Sequence, residues 1–200
     1  MQIVSGSRCA NLILLVQTSE RAPMARLISD AYKKLNEELH KSNPLYGTKA
    51  AKHAPAVANF VTTTGAASLL DYGCGKGMLK PALQALCPSL DIREYDPAIA
   101  GKSARPDPAE VVVCLDVMEH IEPEALQEVL SDIRSVTKRY AIFTVAVKEA
   151  KKVLADGRNA HLIVQLKILW AEQFAPHFDT IDLNDFGDHW FFAVLSPKQS

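Results

Sequence analysis

Four short stretches of this chain carry residue types whose spacing suits ligand chemistry. The first is Asp71-Tyr72-Gly73-Cys74-Gly75-Lys76-Gly77, in which three alternate glycines follow an acid. Glycines between a strand and a helix let backbone approach a ligand with no Cβ in the way. Charge and spacing then narrow the ligand. A dinucleotide fingerprint beginning at Gly73 needs glycine at position 78, where this chain has Met78. An acid such as Asp71 at the strand tip would repel a pyrophosphate, but it suits the ammonium of a methionine moiety, directly or through water. A P-loop is excluded because Lys76 is followed by glycine and not by serine or threonine.

The second stretch centres on Asp96, 19 residues beyond Gly77. A carboxylate at the end of the second strand can accept hydrogen bonds from both hydroxyls of a ribose. The bland alternative is a turn residue before Pro97. The third, Cys114-Leu115-Asp116-Val117-Met118-Glu119-His120-Ile121, follows the next strand, at the edge where open α/β sheets place their ligands. Glu119 and His120 there also fit the start of a helix, with the acid at the positive end of its dipole. The fourth, Asp156-Gly157-Arg158-Asn159-Ala160-His161, is richer in polar and flexible positions than a simple turn needs. As a functional loop it offers His161 to take a proton from an attacking oxygen or nitrogen, and Arg158 and Asn159 to orient a substrate. As an ordinary polar loop it needs no role. Glu119 and His161 are the candidate catalytic groups. The six histidines show neither HxH nor HExxH spacing, so the sequence supports no metal site.

The elements that must position these residues follow from periodicity. Met24, Ile28, Ala31, Leu35 and Leu39 recur every three to four residues and predict an amphipathic helix. Residues 41–49 are rich in breakers, and a second helix is expected from near Pro55 to Gly65. Strands are expected at 68–72, 91–95, 111–115 and 139–147, with helices after the glycine stretch and after Pro123. Leu166, Leu169, Trp170 and Phe174 predict a further helix, and Trp170 with Leu115 and Val117 is apolar enough to help line a water-excluding pocket. Two final strand-like runs flank Gly187-Asp188 and predict an antiparallel hairpin. Alternating strands and helices imply a parallel sheet with right-handed crossovers.

The chain has 200 residues, of which 48% are hydrophobic and 22% charged, enough for one domain that buries about two-thirds of its unfolded surface. A formal net charge of -1 and a pI near 6.6 supply no basic field for nucleic acid, which favours a small acceptor. Cys9, Cys74, Cys87 and Cys114 form no CxxC pair, which points to a reducing cytoplasm. Residues 9–16 are apolar but too short to span a bilayer, and no small-x-small cleavage site follows them, so no membrane association is expected.

At these stretches the chain resembles the class I S-adenosylmethionine-dependent methyltransferases. The resemblance is carried jointly by Leu70 to Gly77, by Tyr95-Asp96-Pro97 and by Leu115 to Ile121, and it covers roughly residues 66–196. It implies an α/β, Rossmann-like, mostly parallel sheet flanked by helices and closed by a C-terminal antiparallel hairpin. Residues 66–200 would form the cofactor-binding core, with residues 1–65 as an N-terminal extension and lid helices. It also implies S-adenosylmethionine as cofactor, held by Asp71, Gly73, Gly75, Gly77, Asp96, Leu115 and Asp116, and a small-molecule or glycan-like acceptor. One departure stands out: about 15 residues separate the second strand from 111–115, too few for the family's usual helix, strand and helix. The third strand is therefore expected to be reduced or absent, with adenine contacts drawn from Ser103 to Pro108. Two other functions remain open at this point: an NAD(P)-dependent oxidoreductase, and an inactive binding module of the same fold.

Overall fold

A computed structural model describes residues 27–44 and 46–199. Six strands form one sheet: β1 Ser68–Tyr72, β2 Asp91–Tyr95, β3 Ala109–Leu115, β4 Thr137–Ala146, β5 Phe178–Phe186 and β6 Trp190–Pro197. Their order is β2-β1-β3-β4-β6-β5. The pairs β1–β2, β1–β3 and β3–β4 are parallel, while β6 runs antiparallel to both β4 and β5. The helices are α1 Asp30–Ser42, α2 Ala54–Thr64, α3 Leu79–Leu86, α4 Leu126–Val136 and α5 Lys167–Phe174. This is the Rossmann-like sheet with a terminal hairpin that the sequence predicts. Residues 96–108, between β2 and β3, hold neither strand nor helix, so the third strand is absent as expected.

Alternation along each strand sends successive side chains to opposite faces. Leu70, Val112, Cys114, Phe143 and Val145 pack with α4, α5 and the inner side of β6. Leu69, Val111, Val113, Leu115 and Ile142 pack with α2 and α3. In β3 every residue but Glu110 is buried, because the strand has neighbours on both edges and helices on both faces. Phe143 stacks on Phe174 at 4.9 Å and meets Phe178 edge-on at 5.9 Å, which anchors α5 and the hairpin to the sheet. Burying side chains of this size contributes roughly 1.5–3 kcal/mol each.

Two helical expectations need correction. Helix α1 starts at Asp30 and not near Met24, which lies outside the described residues together with residues 1–23. Its buried face runs through Tyr32, Asn36 and Leu39, with Ile28 and Leu35 packed at its edge, whereas Ala31 is exposed. The aromatic at position 32 sets this rotation, because its ring enters the protein and its hydroxyl donates to the His120 carbonyl at 2.8 Å. In α5, Trp170 and Phe174 are buried but Leu169 is exposed, as is Leu166 just before the helix. Trp170 belongs to the core beside Phe174, so it does not line an acceptor pocket. Among the described residues no helix is long and apolar enough to cross a membrane.

Ser29 caps α1 and docks it at once. Its Oγ accepts from the Tyr32 amide at 3.1 Å and donates to Glu122 Oε1 at 2.7 Å, while its backbone N–H donates to Glu122 Oε2 at 2.8 Å. Ser29→Ala removes an N-cap bond and a charge-assisted bond and is expected to lower the unfolding free energy by about 2 kcal/mol. Urea denaturation measures this; a change under about 0.5 kcal/mol would show that α1 is not held through this contact.

Candidate functional site

Strand order reverses between β1 and β3, so the chain leaves their C-terminal ends in opposite directions, the position at which open α/β sheets form a ligand crevice. The glycine stretch leaves β1 in a sharp turn whose first two amides, of Gly73 and Cys74, both donate to the Tyr95 carbonyl, at 2.8 and 3.1 Å. Gly73 adopts φ +78°, and a Cβ there would lie 2.7 Å from Val117 Cγ2, on the segment leaving β3. The Gly73 backbone thus packs directly against the Val117 side chain. At Gly77 a Cβ would collide with the Glu94 carboxylate, which pairs with Lys102 Nζ at 3.0 Å beneath the turn.

Asp71 is 1% exposed, and its Oδ2 has no hydrogen-bond partner. Burial pushes its pKa up to about 7; Glu94 and Asp96 add to the rise and Lys102 opposes it. Asp96 joins the end of β2 to the turn, accepting from the Gly75 amide on Oδ2 and the Ala98 amide on Oδ1, each at 2.9 Å. Each oxygen keeps a further acceptor position. Ser103 to Pro108 runs toward α4, where Arg105 pairs with Asp132 at 3.2 Å and donates to Ser135 Oγ at 3.0 Å.

Beyond β3, Leu115 is buried and Asp116 takes a left-handed backbone, φ +56°. Its carboxylate accepts from Thr144 Oγ1 at 2.8 Å and from Lys52 Nζ at 3.2 Å, with His53 Nε2 at 3.8 Å, too far for a hydrogen bond. Burial by itself would raise the Asp116 pKa, but His53, Lys52 and Thr144 together hold it well below the ordinary carboxylate range. Met118–His120 then forms one turn of 3-10 helix, and α4 begins only at Leu126. Glu119 is therefore not the solvated acid of a helix start. It is 1% exposed, with Oε1 accepting from the Ala146 amide at 3.1 Å and Oε2 unpartnered. Burial raises its pKa to about 8, with Asp116 adding to the rise. Burial and His161 lower the His120 pKa to about 4.

The loop after β4 brings His161 against His120, their ring centroids 4.9 Å apart and the planes at 80°. Asn159 is committed to holding that loop: its amide donates to the Ala150 carbonyl at 2.9 Å, and its Oδ1 accepts from the amides of Ala150 and His161. Arg158 pairs with Asp156 at 2.7 Å and lies over the Tyr32 ring, 5.3 Å from its centroid. The structure therefore gathers Asp71, the glycines, Asp96, Leu115 and Asp116 around one crevice and sets Glu119, His120 and His161 beside it. The sequence carried no signal for Lys52, Thr144 or Tyr32, nor for the contact made by Lys76 of the glycine stretch, whose Nζ donates to the carbonyls of Asn43 and Pro44 and ties the end of α1 to that turn. Each acts through a partner distant along the chain.

Solved structures similar to this chain include the 1,6-didemethyltoxoflavin N1-methyltransferase of Burkholderia thailandensis with its bound substrate and S-adenosylhomocysteine. It has a TM-score of 0.62 and 17% identity over 90% of this chain and 93% of that one. The fold is that of these methyltransferases. The mitomycin 7-O-methyltransferase MmcR matches with a TM-score of 0.61 and 16% identity over 84% of this chain and 60% of its own. The DhpI–SAH complex matches at 0.59 and 12% over 86% of this chain and all of its own. No family model matches the sequence, and no curated protein matches it.

Within this methyltransferase fold the contact of Gly73 with Val117 makes a specific prediction. Gly65→Ala, at φ +64° with nothing within 4 Å of the new Cβ, is expected to cost about 1–2 kcal/mol, the penalty of left-handed backbone alone. Gly73→Ala adds a clash with Val117 and is expected to cost at least about 1 kcal/mol more. Equal losses on denaturant unfolding would show that the two segments do not meet there.

Proposed function

We propose that this chain is an S-adenosylmethionine-dependent methyltransferase acting on a small-molecule acceptor. The observation that carries the reading is Asp71: a buried carboxylate with an unpartnered oxygen beneath a glycine turn, at the switch point of a methyltransferase fold. A buried charge without a partner is costly, and a ligand ammonium would relieve that cost. Asp96 would accept from the ribose hydroxyls while keeping its bonds to the turn. Gly73, Gly75 and Gly77 would let the turn approach the ligand, with Leu115 and the backbone at Asp116 bounding the crevice on the β3 side. When bound, the cofactor supplies an electrophilic methyl on a sulfonium. Residues 27–65 would act as a lid, held to the turn by Lys76 and to the loop after β3 by Tyr32.

The acceptor would enter from the side of Glu119, His120, Arg158 and His161. Methyl transfer to a nucleophile is promoted mainly by orientation and by exclusion of water, so the half-buried walls there matter more than a strong base. The same buried acid speaks against a nicotinamide cofactor, whose pyrophosphate would face Asp71 across the turn.

Isothermal titration with S-adenosylhomocysteine, and separately with NAD and NADP, tests the reading. Saturable binding of S-adenosylhomocysteine alone is expected; nucleotide binding alone, or no binding, would overturn it. Titration of Asp71 adds a pH signature. Only the ionised carboxylate attracts the ammonium, so below pH 7 binding must first release a proton and affinity rises with pH. With a pKa of about 7, S-adenosylhomocysteine should bind roughly tenfold more weakly at pH 6 than at pH 8, and Asp71→Asn should flatten that dependence.

A further inference from the structure

Glu119, His120 and His161 each offer a ligand atom, and the three atoms lie within 4.8 Å of one another. Both rings are held in one orientation by backbone. His120 Nδ1 lies 2.6 Å from the Ala160 carbonyl and His161 Nδ1 lies 2.5 Å from the Lys148 carbonyl. A carbonyl oxygen can only accept, so Nδ1 carries the hydrogen in each ring and Nε2 carries the free lone pair. A backbone carbonyl behind a histidine is the support that orients imidazoles as metal ligands. Glu119 completes the set: Oε1 is used by the Ala146 amide, and Oε2 is buried with no partner. A buried carboxylate oxygen left unsatisfied beside two imidazoles calls for a partner.

We propose that Glu119 Oε2, His120 Nε2 and His161 Nε2 form a binding site for one divalent first-row transition cation. Two imidazoles and a carboxylate suit zinc, iron(II), cobalt(II) or manganese(II), and exclude the all-oxygen preference of calcium. Ligand atoms about 2.1 Å from an ion stand about 3–4 Å apart, so a cluster whose atoms lie within 4.8 Å of one another tightens when it holds one. A small shift of the loop after β4 toward the turn after β3 supplies that movement, with His161 keeping its bond to the Lys148 carbonyl. Three protein ligands leave positions open. On the methyl-transfer reading, those positions face the acceptor side and select an acceptor with an oxygen or nitrogen able to coordinate the ion. His161 then serves as a ligand and not as a proton acceptor.

The test is titration of the chelator-treated, untagged full chain with Co2+, followed by calorimetry and visible absorbance. One Co2+ per chain is expected, with absorption bands of a nitrogen- and oxygen-ligated ion that are displaced by Zn2+. Glu119→Gln keeps the shape and the bond to Ala146, and His161→Ala alters a partly exposed loop residue; each should weaken Co2+ binding at least about tenfold while circular dichroism stays that of the parent. Absence of saturable Co2+ binding, or parental affinity in either folded variant, overturns the site. S-adenosylhomocysteine binding measured on the same samples reports on the cofactor reading separately, since it involves none of these three residues.

Discussion

The ends of β1 and β3 lie side by side, and the chain departs from them in opposite directions. Where they part, the Gly73 backbone packs against the Val117 side chain with no room for a Cβ between them. Any side chain at Gly73 would push the two segments apart. Asp71, two residues earlier, is consequently sealed under the turn, and Glu119, two residues after Val117, is sealed under the other lip. The fold places two poorly compensated carboxylates on either side of one crevice because its switch point allows the chain to approach there from both sides.

The three acids at these strand ends have different surroundings. Asp71 sits near the Glu94–Lys102 pair and has one oxygen unpartnered. Asp116 is drawn into an ion pair with Lys52 and a bond with Thr144, which keeps it ionised and fixes its left-handed backbone. Glu119, behind it, keeps an oxygen without a partner beside two imidazoles. Charge is thus neutralised at Asp116, whereas Asp71 and Glu119 each keep a buried oxygen without a partner.

The N-terminal segment is built into this arrangement and does not merely cover it. Ser29 is held by Glu122, Tyr32 reaches the His120 carbonyl, and Lys76 binds the carbonyls at the end of α1. These contacts join α1 to both lips of the crevice. Displacement of α1 would release the glycine turn and the His120 turn together.

Periodic and local features were legible in the sequence. Leu69 to Asp71, Val111 to Leu115 and Ala141 to Ala146 declare buried parallel strands because such strands are apolar on both faces. The short stretch between 96 and 108 leaves no room for a third strand, and Gly187-Asp188 marks the hairpin. The glycines after Asp71 identify the crevice because a tight strand-to-helix turn is a local property of the chain. Tertiary structure alone decided what individual polar groups do. Asn159 looked like a substrate contact, yet its amide closes its own loop onto Ala150; Trp170 looked like a pocket wall, yet it lies in the core. Glu119 and His120 stand about forty residues from His161, and no spacing rule written along the chain could join them. They meet because parallel strands β3 and β4 bring their C-terminal loops to the same edge of the sheet, a distance set by strand pairing and not by sequence separation.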